Sequence, residues 1–181
     1  MKGIRTLLLR IPMACEIPDV IEFCDICLVS ERSVIRLLND EALKKKKRFN
    51  VILMRDVGDL REGIFNSDEF VKTAGWIESE MTGLFLYGIG CNLTCYGSVV
   101  PTQENLGELC HNAEEIEFHI GRRLDVISGG STSSIPLLYQ NKMPERINHL
   151  RIGEGLVVPY DLFYTWNCPQ NQMTNHTLVL R

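Results

Sequence analysis

The chain has 181 residues, 45% of them apolar and 23% charged, and a formal net charge of −4 at pH 7. These values are typical of a single soluble globular domain, and the acidic balance disfavours nucleic acid or an anionic membrane as the main partner. No stretch approaches the roughly 20 apolar residues that a bilayer-spanning helix needs. The seven cysteines, an odd number without a secretory signal, indicate reduced thiols in a cytoplasmic protein.

Taken in chain order, apolar runs alternate with helical patterns over most of the sequence. Runs typical of strands cover residues 6–11, 25–30, 50–55, 83–90, 124–129 and 147–153. Patterns typical of helices cover 31–47, 67–81 and 103–123, and the second begins with a Ser-Asp cap at Ser67. Because the strands are continuous apolar runs, we expect them to be buried on both faces of a parallel α/β sheet.

Six βα units leave two architectures open. A (β/α)8 TIM-type barrel needs eight strands and about 250 residues, whereas a doubly wound sheet can be built from five or six strands. If the fold is a barrel, its first two βα units are missing and residues 1–158 form a partial barrel domain. The segment 159–181 loses periodicity and ends in "TLVL", so we expect it to begin a connection to a C-terminal β domain.

In the segment "VILMRDVGDLREGIF" (51–65), charged residues and two glycines directly follow an apolar strand. A solvated loop would explain the charges. It would explain less well why Arg55, Arg61, Gly58 and Gly63 stand where a strand ends, which is where both candidate folds place function.

Two further strand ends favour an anion site. "SGGSTSS" (128–134) places glycines and hydroxyls between a strand and a helical segment, although a capped turn has the same composition. In "LRIGEG" (150–155), strand alternation puts Arg151 and Gly153 on one face, and the N–H groups of Gly153 and Glu154 would extend the cradle. An arginine in a surface ion pair is the alternative for Arg151 taken alone.

The remaining polar and cysteine-rich stretches carry weaker signals. "GIGCNLTCYG" (88–97) offers Asn92, Thr94 and Tyr96 for the rim of a site. A zinc site from Cys24 and Cys27 with Cys91 and Cys95 is disfavoured, because the two pairs fall at opposite ends of the strands. Buried thiols are the simpler interpretation, and we expect no bound metal.

Five stretches together resemble one family. "LLLRIPM", "ILMRDVGDLREGIF", "GIGCNLTCYGSVVPTQENLGEL", "DVISGGSTSSIPLL" and "MPERINHLRIGEG" are similar, in this order, to pyridoxal-phosphate-dependent amino-acid racemases of the alanine racemase N-terminal-domain superfamily, especially those of the ornithine racemase type. The resemblance extends from residue 5 to about 165. It implies a barrel, pyridoxal 5′-phosphate across its carboxyl-terminal mouth, a small amino-acid substrate and a homodimer in the full-length form.

The resemblance also implies roles for single residues. The family motif D-x-G-x-x-R-x-G falls on Asp56, Gly58, Arg61 and Gly63, with Arg61 as the catalytic residue near the phenolic oxygen of the cofactor. Arg151 would lie against the pyridine nitrogen. The phosphate would be held by residues of the two neighbouring loops, namely Ser131, Thr132, Ser133, Gly153 and Glu154. Asn92 stands where alanine racemases have a histidine stacked on the cofactor ring.

One departure from the family pattern leaves two functional interpretations open. No lysine here matches the family's Schiff-base lysine, and the domain that supplies the second acid/base is also unmatched. We therefore expect a fragment, cut at both ends, of an enzyme that racemises an ornithine-like amino acid, inactive alone and with sheet edges that favour pairing or poor solubility. The alternative is a non-catalytic barrel remnant that binds pyridoxal phosphate or another phosphate ligand.

Overall fold

A computed structural model describes residues 3–94 and 99–168 of the chain, and its centre is one sheet of parallel strands. The six strands of this part of the chain are β1 (Leu7–Leu8), β2 (Ile26–Val29), β3 (Phe49–Arg55), β4 (Leu84–Cys91), β5 (Val126–Ser131) and β6 (His149–Arg151). Each strand pairs in parallel with the next in chain order. The order never reverses, which excludes a doubly wound sheet and confirms the barrel prediction, here as an open arc.

Helices connect the strands and lie on the outer side of the sheet. In the described residues they are α1 (Ile17–Phe23), α2 (Arg32–Lys44), α3 (Ser67–Glu80), α4 (Gln103–Ile120), α5 (Ile135–Tyr139) and α6 (Glu154–Val157). Short turns of 3₁₀ and π type occupy Ala14–Glu16, Thr132–Ser134 and Asp161–Thr165. None of these described helices combines the length and apolarity that a membrane crossing needs.

The strands separate two apolar layers because successive side chains point to opposite faces. In β2, Cys27 and Val29 join the layer between sheet and helices, while Ile26 and Leu28 join an inner layer that also contains Ile52 and Met54. All four side chains of β2 are buried. This burial on both faces explains the continuous apolar runs of the sequence.

Helix ends differ from the sequence expectation for local reasons. The cap of α3 is Asn66 rather than Ser67, since the Asn66 side chain accepts a hydrogen bond of 2.9 Å from the Glu69 N–H. The pattern for α4 extended to residue 123, but the helix ends at Ile120, where Gly121 takes a left-handed φ of 71°. The short helix α1, with Pro18 in its first turn, was not predicted.

Phe70 of α3 tests the main core layer. Its side chain is fully buried among the helices and the sheet, so Phe70→Ala should lower the free energy of unfolding by about 3–5 kcal/mol through lost burial and the cavity left behind. Urea denaturation followed by circular dichroism measures the change. The matched control is Phe118→Ala on α4, whose ring is 85% exposed and whose loss should cost less than about 0.5 kcal/mol. Equal losses for the two variants would contradict this packing.

Candidate functional site

One cavity of the described structure lies at the carboxyl ends of β3 to β6. Its volume is about 560 Å³, within the range of small-molecule sites, and we call it the rim cavity. Its lining comes from separate strand-end loops and consists of Arg61, Thr94, Ser131, Thr132, Ser133, Arg151, Gly153, Glu154, Asp161 and Trp166. The lining therefore combines two permanent cations and four hydroxyls, which suit an anionic ligand, with two carboxylic acids, which suit a cationic group.

The loop after β3 is folded by its own polar groups. The Asp56 carboxylate accepts hydrogen bonds from the N–H groups of Gly58 and Leu60, at 2.9 and 3.1 Å. The chain then returns to the strand, where the Ile64 N–H donates to the Met54 carbonyl at 2.9 Å. This closed loop carries Arg61, an exposed residue, to the rim cavity.

Gly63 allows the loop to close. It has a φ of +114°, which side chains rarely adopt, and a Cβ there would lie 2.6 Å from the Asp56 backbone nitrogen. The motif glycine is thus required by the return of the chain against its own strand.

Arg55 stabilises the same loop from its buried side. It is 7% exposed, its Nε donates to the Asn112 Oδ1 on α4 at 3.2 Å, and its Nη1 donates to the carbonyls of Asp56 and Ile64. Burial lowers the pKa of the Arg55 guanidinium. The two arginines of the segment therefore differ: Arg55 fixes the loop, and Arg61 faces the cavity.

The glycines after β5 shape the backbone. The β5–β6 register shifts between Ser128, opposite His149, and Ser131, opposite Arg151. Gly130 has a φ of +99° within this irregularity, and a Cβ on Gly129 would meet Ile147 at 2.7 Å. Bulges of this kind re-aim side chains next to functional sites.

The hydroxyls of this loop tie three strand ends together. Ser133 Oγ donates to the Leu93 carbonyl at 3.2 Å and lies 3.3 Å from Ser131 Oγ. Thr132 Oγ1 accepts from the Gly155 N–H of α6 at 3.1 Å, a close approach that a side chain at Gly155 would obstruct. The loops after β4, β5 and β6 are thereby held at one side of the rim cavity.

Arg151 crosses two strands. From β6 its Nη1 donates to Ser128 Oγ on β5 at 2.6 Å, and its Nη2 donates to the Cys91 carbonyl on β4 at 2.8 Å. Gly90 leaves the room for this crossing, because a Cβ there would lie 3.4 Å from Arg151 Nη1 and 3.1 Å from Ser128 Cβ. Burial raises the pKa of the adjacent Cys91 thiol to about 12, so it remains protonated at neutral pH.

His149 lies beside this arginine. Its Nδ1 is 2.9 Å from Ser128 Oγ, the same oxygen that accepts from Arg151. Half-burial of the ring, and then the positive charge of Arg151, lower the pKa of His149.

The rim cavity brings together seven of the eight site residues expected from the sequence: Arg61, Ser131, Thr132, Ser133, Arg151, Gly153 and Glu154. Asn92, half-buried one residue beyond β4, is not part of the lining of the described cavity. Tyr96 and Cys95 lie outside the described residues. The sequence analysis missed Asp161 and Trp166, because no periodicity marks the segment that contains them.

Lysine is absent from the lining of this cavity within residues 3–94 and 99–168. Lys44 to Lys47 lie at the end of α2, Lys72 lies on α3, and Lys142 follows α5 beside a different cavity. The described part of the chain thus brings binding groups to the rim cavity without a lysine amine.

Comparisons with known proteins point to one family. The model of the alanine racemase N-terminal domain matches residues 2–161. The ornithine racemase of Acetoanaerobium sticklandii is 39% identical over 166 residues, which cover 91% of this chain and 47% of that protein. The lysine racemase of Thermotoga maritima is 35% identical over 156 residues, covering 86% and 43% respectively. The chain spans about half the length of the curated relatives it matches.

A solved structure shares the fold at low sequence identity. PipY of Synechococcus elongatus, determined with PLP bound, superposes with a TM-score of 0.63 at 16% identity, covering 81% of this chain and 67% of PipY.

Gly63 gives the first prediction for the site. Gly63→Ala should lower the free energy of unfolding by about 1–3 kcal/mol, because the new Cβ meets backbone atoms and the φ is positive. Gly107→Ala is the control: Gly107 lies inside α4 with open space around it, so alanine should stabilise by about 0.5–1 kcal/mol. Chemical denaturation of both variants measures whether each substitution lowers or raises the free energy of unfolding. A stabilising Gly63→Ala would refute the closed loop.

His149 gives a pH prediction. Its pKa is lowered in the folded chain from an ordinary value of 6.5, so below that pH the unfolded chain binds a proton that the folded chain resists. Stability should therefore fall as pH decreases from about 6.5, with a slope below the limit of about 1.4 kcal/mol per pH unit because the ring is half exposed.

Denaturation at pH 7.5 and 5.5 compares the wild type with His149→Gln. The variant should lose less stability between the two pH values, whereas a control His119→Gln on α4 should behave as the wild type does. An identical loss in all three proteins would contradict the neutral state of His149.

Proposed function

The chain belongs to the alanine racemase N-terminal-domain family, and from this premise we propose that it forms the cofactor-binding part of a pyridoxal-phosphate-dependent racemase of a small diamino acid. The single observation that carries the proposal is the convergence of Arg61, Arg151 and the 131–133 hydroxyls on one cavity. These residues come from three different strand ends. Relatives that are ornithine and lysine racemases support the substrate class.

The lining fits the phosphate of the cofactor by its chemistry. Ser131, Thr132 and Ser133 supply hydroxyl donors, and the start of α6 at Gly153 and Glu154 supplies backbone at the same side of the cavity. Thr132 already accepts a hydrogen bond from the next N–H of α6, that of Gly155, and so links this helix to the β5 loop. In the proposal these groups hold the phosphate and thereby orient the rest of the cofactor.

Pyridoxal phosphate, when bound, supplies an aromatic ring that withdraws electrons from the Cα of an amino acid. Arg151 would meet the nitrogen of that ring. Because a guanidinium keeps its protons at any working pH, it donates a hydrogen bond there without giving up the proton, which limits how far the ring withdraws charge. Arg61, which lines the same cavity, would approach the phenolic oxygen of the cofactor.

The substrate class follows from the charges on the lining. Glu154 and Asp161 are close neighbours, since the Asp161 N–H lies 3.4 Å from Glu154 Oε1. In the proposal these carboxylates bind the distal ammonium of an ornithine- or lysine-like substrate. Proton transfer at Cα requires acid/base groups on its two faces, and we assign these to residues outside the described lining.

The lining without lysine favours a second candidate function. A barrel that binds pyridoxal phosphate reversibly, without an amine to react with it, would use the same hydroxyls and arginines. Covalent trapping distinguishes a barrel that supplies its own amine from one that only binds the cofactor.

The proposed function is tested by adding pyridoxal 5′-phosphate to the purified chain, reducing with borohydride and mapping labelled lysines by mass spectrometry. One labelled lysine would show that this chain supplies the amine of a racemase site itself, whereas no labelled lysine would show a chain that contributes binding alone. Binding itself is measured with pyridoxine 5′-phosphate, which cannot react with amines. Arg151→Ala should weaken it at least tenfold, since a charge-assisted hydrogen bond is lost.

Arg123→Ala is the matched control, because Arg123 is exposed beyond α4 and remote from the lining. Its affinity should equal that of the wild type. A wild-type chain that binds neither compound, or an Arg151→Ala variant that binds both unchanged, would refute the proposed site.

A further inference from the structure

Ser128 Oγ stands between two basic side chains. It lies 2.6 Å from Arg151 Nη1 and 2.9 Å from His149 Nδ1, and Ser128 is fully buried. His149 is also the register partner of Ser128 across the β5–β6 pair, so backbone pairing holds the three groups in place.

The protons of this cluster can be counted. A guanidinium only donates, so Ser128 Oγ accepts from Arg151. The single hydroxyl proton of Ser128 is then available to His149 Nδ1 when the ring carries its own proton on Nε2. In that tautomer His149 is neutral, and the hydrogen bonds run from Arg151 to Ser128 to His149.

The neutral state is also the one that the surroundings favour. A protonated His149 would direct a second cation at the oxygen that already accepts from Arg151. Among the charged groups, Arg151 is the one that acts on the His149 ring in the described structure, and it does so from the same strand.

We propose that Ser128 and His149 are positioning residues, which hold the Arg151 guanidinium in the orientation that meets the ring nitrogen of the cofactor. This inference rests on the proposed function of the rim cavity. The Cys91 carbonyl accepts from Nη2 and the Ser128 hydroxyl accepts from Nη1, so these two contacts help to set the plane of the guanidinium. Losing one contact leaves the charge in place but frees its orientation.

The test uses two ligands that differ at the relevant atom. Pyridoxine 5′-phosphate carries the ring nitrogen, whereas benzyl phosphate carries a phosphate on a ring without nitrogen. Trp166 lines the cavity and reports occupancy by fluorescence, and Trp76→Phe removes the chain's other tryptophan. All variants are made in that background.

The positioning role predicts a selective effect. Ser128→Ala and His149→Leu should weaken the binding of pyridoxine 5′-phosphate by roughly tenfold, because one charge-assisted contact is misaligned. The affinity for benzyl phosphate should stay within about twofold of the wild-type value. His149→Gln, which keeps an acceptor for the hydroxyl, should recover most of the affinity. The ultraviolet spectrum of bound pyridoxine 5′-phosphate should shift towards the protonated ring in the two weakened variants.

The controls are Ser79→Ala on α3 and His119→Leu on α4, which should change the affinity for neither ligand. Equal weakening of both ligands would show a merely structural role and overturn the proposal, as would unchanged affinity and spectrum in Ser128→Ala. A wild-type chain that binds neither ligand would instead refute the proposed function of the cavity, and the inference with it.

Discussion

The parallel pairing of consecutive strands is the constraint on which the site depends. All strands run in one direction and each pairs with its sequence neighbour, so the loops after β3 to β6 emerge at one edge. Arg61 and Arg151, far apart in the chain, line the same cavity for this reason. The same pairing buries both faces of the strands, and an apolar interior therefore lies directly beneath a polar rim.

Arginines at this rim are held by oxygens of the backbone. Arg55 donates to carbonyls of its own loop and Arg151 donates to the carbonyl of Cys91 on another strand. A cation removed from water is costly unless its donors have acceptors, and carbonyls provide them without adding a countercharge. These hydrogen bonds therefore hold the guanidinium groups without neutralising their charge.

The fold and most of the residues that line the rim cavity could be predicted, since each left a local signal in the sequence. Continuous apolar runs indicated buried parallel strands, and glycines with charges marked the strand ends. Strand alternation placed Arg151, and the family motif placed Arg61. The choice between barrel and doubly wound sheet could not be made from these runs, because strand order depends on pairing between distant segments. The resemblance to a family decided it before the structure did.

Other residues left no such signal. In the sequence, Asn112 is one more polar residue in a helical pattern. In the structure it is buried and accepts a hydrogen bond from Arg55, which lies 57 positions earlier in the chain. Ser128 and His149 become partners only through the β5–β6 register, which an irregularity in β5 sets. Asp161 and Trp166 lie in a segment without periodicity. Contacts between elements, rather than local patterns, define all of these residues.

The charges of the rim cavity restrict what fits it. Arg61 and Arg151 attract an anion, but Glu154 and Asp161 on the same lining repel one. A ligand that carries only negative charge would be attracted by the two arginines and repelled by the two carboxylates. Under the proposed function, a phosphorylated cofactor together with an amino acid that carries a distal ammonium presents both signs of charge, as the lining does. The mixed lining thus favours a two-part occupant over a simple phosphate.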